Sequence, residues 1–154
     1  MTKILLILHV LAAIVAVGPV TVAASMFPPA ARRVPEAADG AVAVGTVQLL
    51  HRICRVYAAI GVSVPVLGLA TALAMGVLGS GWLITSIALT AAAAGLLIAF
   101  VLPRQEELLE QLTAQQTAER SATVQLAMVT GIFNLLWATV TILMIVRPGS
   151  TTGA

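Results

Sequence analysis

Residues 56–103 read VYAAIGVSVPVLGLATALAMGVLGSGWLITSIALTAAAAGLLIAFVLP and contain no Asp, Glu, Lys, Arg or His. A membrane-spanning helix needs about 20 apolar residues, so these 48 residues are too many for one span and enough for two. Gly79, Ser80 and Gly81 lie at the midpoint, and glycine accepts backbone angles that end a helix. The stretch therefore predicts a transmembrane helical hairpin with spans at about 56–78 and 83–102.

Two further apolar runs flank this hairpin, at about 4–26 and 124–146. Of the 154 residues, 60% are hydrophobic and 9% are charged, whereas soluble domains carry about 25% charged residues. The first run is longer than the 7–15 apolar residues of a signal peptide, so we interpret it as a span. Backbone groups in lipid must be paired within their own segment, which favours helices. The sequence predicts an all-α protein, a polytopic membrane four-helix bundle that forms one domain over 1–154.

Two polar connections join the spans, at about 27–55 and 103–123. Pro28 and Pro29 are expected to stop the first span, and Pro103 the third, because proline removes a helical hydrogen bond. The connections hold six of the eight basic residues, namely Arg32, Arg33, Arg52, Arg55, Arg104 and Arg120. Basic residues favour the cytoplasmic side. Both connections are therefore predicted to be cytoplasmic and both termini to lie outside.

Small residues recur at four-residue spacing in the two spans of the hairpin. They are Gly68, Ala72 and Gly76 in the second span, and Ala91, Gly95 and Ala99 in the third. Small side chains let two helices approach closely in a membrane, so we expect the two ridges to face each other or the first span. Asn134 lies near the middle of the fourth span, where a hydrogen bond to another helix contributes about 0.6–2 kcal/mol.

His9 is the only Asp, Glu, Lys, Arg or His residue inside an apolar span. The sequence shows no catalytic triad, phosphate loop or metal-spaced His/Cys cluster. Imidazole is a ligand for haem b or copper, but the other histidine, His51, lies near the opposite end of its own span. We therefore expect His9 to form a hydrogen bond within the bundle, with haem or copper binding at His9 as the alternative. Cys54 is the only cysteine, and we interpret it as a free thiol at the membrane interface.

Three short motifs carry a family resemblance: LHVLAA at 8–13, GSGWL at 79–83 and ILMIVRPG at 142–149. They resemble an uncharacterised family of four-helix integral membrane proteins of bacteria, a domain of unknown function. The resemblance implies a bacterial plasma (inner) membrane. The LHVLAA start also resembles copper-resistance D-type proteins and the bacterial membrane protoporphyrinogen oxidase. In those groups a histidine of the first span is implicated in copper or haem handling, and His9 matches its position.

These observations lead to one preferred functional hypothesis and two alternatives. We expect a non-catalytic integral membrane protein, an accessory or scaffolding subunit of a larger membrane complex such as a lipid or solute transporter. The first alternative is a haem or copper protein that uses His9, and the second is an enzyme or carrier that acts on lipid between kinked helices. The expected partners are the lipid bilayer and that complex. Nucleic acid is not expected, because the eight basic residues cluster at the ends of the spans.

Overall fold

The computed structural model describes residues 1–150, which fold into six α-helices. These are α1 (Thr2–Arg33), α2 (Gly40–Gly61), α3 (Ser63–Met75), α4 (Gly81–Leu96), α5 (Leu102–Thr113) and α6 (Arg120–Val146). A 3-10 turn (Val34–Glu36) follows α1, and a π-helical turn (Leu97–Val101) joins α4 to α5. Residues 1–150 contain no strand. Four continuous helical stretches are long and apolar enough to cross a membrane, which confirms the predicted all-α, four-span architecture.

The first helix continues past its predicted end. It passes through Pro28 and Pro29 and ends only at Arg33, so the prediction that the two prolines stop it is wrong. Prolines are tolerated in membrane helices because neighbouring groups satisfy the freed carbonyls. Burial also holds this part of α1 in place, since Phe27 and Ala31 are completely buried. The first connection is correspondingly short, and Asp39 Oδ1 starts α2 by accepting a hydrogen bond from the Val42 N–H at 3.1 Å.

The helix of the third span, which begins as α4, also continues past its predicted stop at Pro103. The N–H of Leu102 donates to the carbonyl of Leu97, five residues earlier, which defines a π turn. This wider turn lets the helix continue over Pro103, which has no N–H to donate. The prediction that Pro103 closes the helix is therefore wrong. An amphipathic helix, α5, lies beyond it, and its buried Leu108 and Leu112 lie in the apolar core with residues of α2.

The predicted turn of the hairpin is confirmed, but the two arms of the hairpin pack mainly on other helices. Gly76 ends α3 in the left-handed conformation (φ 68°), which glycine adopts readily, and Ser80 precedes α4. The two arms then separate. α3 packs mainly on α1, whereas α4 packs mainly on α6. The two small-residue ridges consequently do not face each other.

The helix α1 is the centre of the bundle. It packs against α2, α3 and α6, whereas α4 packs mainly on α6. The main core is built where these helices meet α5, around residues such as Phe27, Val47, Leu108 and Phe133. Because α5 packs on α2, the polar end of the helical stretch Gly81–Thr113 closes the bundle at the end where the two polar connections lie.

Side-specific labelling tests the predicted orientation. Gly79 and Ala38 are exposed in the short turn and in the first connection. We predict that a cysteine at Gly79 reacts with an impermeant thiol reagent from outside, whereas one at Ala38 reacts only after permeabilisation. Native Cys54 is fully buried, so the parent protein serves as the unlabelled control. The reverse labelling pattern would contradict the orientation.

Candidate functional site

His9 joins α1 to α3. Its Nδ1 lies 2.9 Å from the backbone oxygen of Val64, and because a carbonyl only accepts, Nδ1 carries the proton. The ring lies directly against Gly68, where an added Cβ would come within 2.8 Å of the His9 Cε1 atom. Gly68 belongs to the first ridge of small residues, Gly68, Ala72 and Gly76. It is the one residue of this ridge whose lack of a side chain makes room for another residue. The hydrogen bond expected for His9 is present.

The other residues of the first ridge have different surroundings from each other. Ala72 is buried beside Trp82 and Leu83, so it does pack within the bundle as expected. A Cβ added at Gly76 would meet no atom within 4 Å, so this glycine is not a close packing point. Gly76 serves to end α3 instead.

The second ridge faces outward, which corrects the expectation that it packs within the bundle. Ala91, Gly95 and Ala99 are all exposed on the surface of the chain, and an added Cβ at Gly95 would meet nothing within 4 Å. The buried residues of α4 are Trp82, Leu83, Ser86 and Ala93. At 3.6 residues per turn these lie on the face opposite the ridge. Burial of the large Trp82 and Leu83 side chains on that face turns the ridge outward.

Asn134 makes the cross-helix contact expected from the sequence. Its Nδ2 donates to the Ser25 hydroxyl oxygen at 3.1 Å, which links α6 to α1. The Asn134 Oδ1 atom and the hydroxyl of Thr130, one turn earlier, are buried without a hydrogen-bond partner within residues 1–150. This part of α6 therefore carries spare hydrogen-bonding capacity in an apolar region.

A buried polar network between α2 and α5 was not predicted from the sequence. The His51 Nδ1 atom lies 3.1 Å from the Gln105 Oε1 atom, and the Gln105 Nε2 group donates to the Cys54 sulfur at 3.5 Å. Gln105 and Cys54 are completely buried, and His51 is 7% exposed. Because an amide oxygen only accepts, His51 Nδ1 carries a proton, and in the neutral imidazole Nε2 then keeps its lone pair. His51 and Cys54 are thus structural partners, not isolated interfacial residues.

A groove of about 530 Å³ runs between α2 and α5 beside this network. Its lining consists of Gln48, His51, Arg55, Glu106, Leu109, Glu110, Thr113 and Ala114. The only ion pair found within residues 1–150 joins Arg104 and Glu107 at 2.9 Å, and neither of these two lines the groove. Charges of both signs therefore line one surface without pairing with each other.

A second, apolar cavity of about 150 Å³ lies between the four helical stretches that are long enough to cross a membrane. Residues around Pro65 form one wall, where α2 gives way to α3, and Tyr57, Phe133 and Trp137 form others. The Trp137 indole N–H is buried and has no partner in the described part of the chain.

Neither cavity has the composition of a metal centre. No group of three or more His, Cys, Asp or Glu residues within 1–150 has a geometry that suits a metal ion. A signal for the buried polar network was nevertheless present in the sequence. Gln105 shares a helix face with Leu108 and Leu112 at spacings of three and seven residues, which predicts a buried glutamine in need of a polar partner.

Comparison with known proteins gives a family match over nearly the whole chain. Residues 3–148 match the model of a family described as "Predicted integral membrane protein (DUF2269)". Searches of curated proteins and of solved structures found no match to this chain. The relation to copper-resistance D-type proteins and to membrane protoporphyrinogen oxidase stays a prediction.

Proposed function

The chain belongs to the DUF2269 family of predicted integral membrane proteins, and we propose that it is a non-catalytic accessory subunit of a larger membrane complex. In this proposal it holds a transmembrane helix of that complex, such as a lipid or solute transporter in a bacterial inner membrane. The observation that carries the proposal is the outward position of Ala91 and Gly95 on α4 and of Ala99 in the π-helical turn that follows it.

The geometry of this outward ridge suits a helix of another subunit. Helices in a membrane associate through van der Waals packing, which small residues allow by letting the backbones approach closely. The spacing of four residues places the three residues on one face over about two turns. Gly95 lies at the centre of the ridge, and its Cα is the point of closest approach for an incoming helix.

Substitution of Gly95 tests the proposal. We expect Gly95→Leu to leave the isolated protein stable, since nothing lies within 4 Å of the added Cβ, and to abolish recovery of the partner. The assay is affinity purification in mild detergent with quantitative mass spectrometry. Ala127→Leu is the matched control, because Ala127 is exposed on α6 away from the ridge.

Two results of the same assay would count against the proposal. Equal recovery of all proteins with the parent chain, Gly95→Leu and Ala127→Leu would show that the ridge holds no subunit. If Gly95→Leu lost only a second copy of this chain and no other protein, the ridge would mediate self-association. The accessory role would then be excluded.

The alternative function, haem or copper binding at His9, has one feature in its favour. A ligating histidine usually donates its other ring N–H to a carbonyl or carboxylate, as His9 does to Val64. Its weakness is the lack of a matching second ligand in the sequence. We therefore predict that the purified protein contains no stoichiometric haem b or copper, as measured by absorbance near the Soret region and by elemental analysis. A Soret band lost in His9→Ala would contradict this prediction.

A further inference from the structure

The groove between α2 and α5 carries donors and acceptors in a particular order. Arg55 supplies a cation with several N–H donors, whereas Glu106, Glu110 and the free Nε2 lone pair of His51 supply acceptors. His51 is more than nine-tenths buried yet lines the groove. Its Nε2 has no partner within residues 1–150 and is not among the fully buried, unpaired atoms, so it opens into the groove.

The position of these groups relative to the membrane follows from the helix directions. α2 runs toward its apolar half after His51, so Arg55 lies about 6 Å closer to the hydrocarbon than His51. α5 runs the other way, so Glu110 lies about 7.5 Å farther out than Gln105, the partner of His51. The cation is therefore on the hydrocarbon side of the groove, and the Glu110 carboxylate is on the aqueous side.

We propose that this groove binds the headgroup of an ethanolamine phospholipid from the adjoining leaflet. In such a lipid the phosphate is joined to the glycerol and lies nearer the hydrocarbon, and the ammonium extends outward from it. Arg55 pairs with the phosphate, since guanidinium groups suit phosphate oxygens. Glu106, Glu110 and His51 Nε2 accept the three N–H bonds that a primary ammonium offers.

This chemistry distinguishes the ethanolamine headgroup from its common relatives. A choline headgroup has the same charges, but its quaternary ammonium has no N–H to donate to His51. A glycerol headgroup keeps the phosphate and lacks the cation, so the carboxylates of Glu106 and Glu110 disfavour it. The hydrogen bond between His51 and Gln105 holds the acceptor in place before the lipid arrives, which lowers the entropy lost on binding.

Native mass spectrometry of the full chain tests the proposal, with ethanolamine, choline and glycerol phospholipids of identical acyl chains in competition. We expect preferential retention of the ethanolamine lipid. Arg55→Gln and Glu110→Gln should each weaken that retention about tenfold or more, the effect of losing a charged hydrogen bond. The matched controls are Arg52→Gln and Glu107→Gln, whose side chains do not line the groove and which should retain the lipid like the parent.

Four results would overturn the proposal. Equal retention of the glycerol and ethanolamine lipids would mean that only the phosphate is recognised, and equal retention of the choline lipid would exclude the acceptor role of His51. Equal losses in the groove variants and in the controls would place the lipid elsewhere. Soluble phosphoethanolamine should not displace the lipid at equal concentration, because the chains hold the lipid in the membrane; if it does, the groove is a site for a soluble phosphate compound.

Discussion

Gln105→Ala is expected to destabilise the protein by about 3 kcal/mol, the largest effect of any single change considered. The Gln105 side chain is completely buried, so its removal leaves a cavity. It also leaves the His51 N–H without its acceptor and Cys54 without its donor, and an unsatisfied buried donor alone costs about 1–3 kcal/mol. The measurement is thermal unfolding in detergent.

Two further variants separate the contributions of volume and hydrogen bonding. Gln105→Met fills nearly the same space without the amide group. Its stability should therefore lie between that of the parent and that of Gln105→Ala. Gln125→Ala is the matched control, because Gln125 is exposed on α6 and such changes usually stay within about 0.5 kcal/mol. If Gln105→Met were as stable as the parent, the network would contribute nothing beyond packing.

Gly68→Ala is expected to destabilise the protein by about 1–2 kcal/mol, although alanine favours helix over glycine by about 1 kcal/mol. The added Cβ would lie 2.8 Å from the His9 Cε1 atom, so the ring must move and its hydrogen bond to Val64 must weaken. Overpacking of this kind typically costs about 1–3 kcal/mol. The destabilisation is measured as the difference in unfolding free energy between the parent and Gly68→Ala.

The sign of this effect should reverse when His9 is removed. In a His9→Ala background the obstructing ring is gone, so Gly68→Ala should become neutral or stabilising through helix propensity. Gly45→Ala is the control in the parent chain, since a Cβ at Gly45 meets nothing within 4 Å. A destabilisation that persists without the His9 ring would show that contact with His9 is not the reason for the glycine.

These variants concern contacts whose partners are far apart in the chain, so the sequence predicts them only in part. His9 and Gly68 each stand out in the sequence, but their pairing across 59 positions depends on how α1 meets α3. His51 and Cys54 look like interfacial residues in the sequence. Nothing near them in the chain shows that the helix of the third span continues over Pro103 as α5 and brings Gln105 against them.

Composition and the length of the apolar runs are enough to establish an all-α protein with four spans and a turn near residue 79. Each span must satisfy its own backbone hydrogen bonds in lipid, so local sequence is sufficient for that result. Which helices become neighbours is decided by the fit of side chains from distant segments. The tertiary structure alone therefore separates α3 from α4, turns Ala91, Gly95 and Ala99 outward, and creates the groove between α2 and α5.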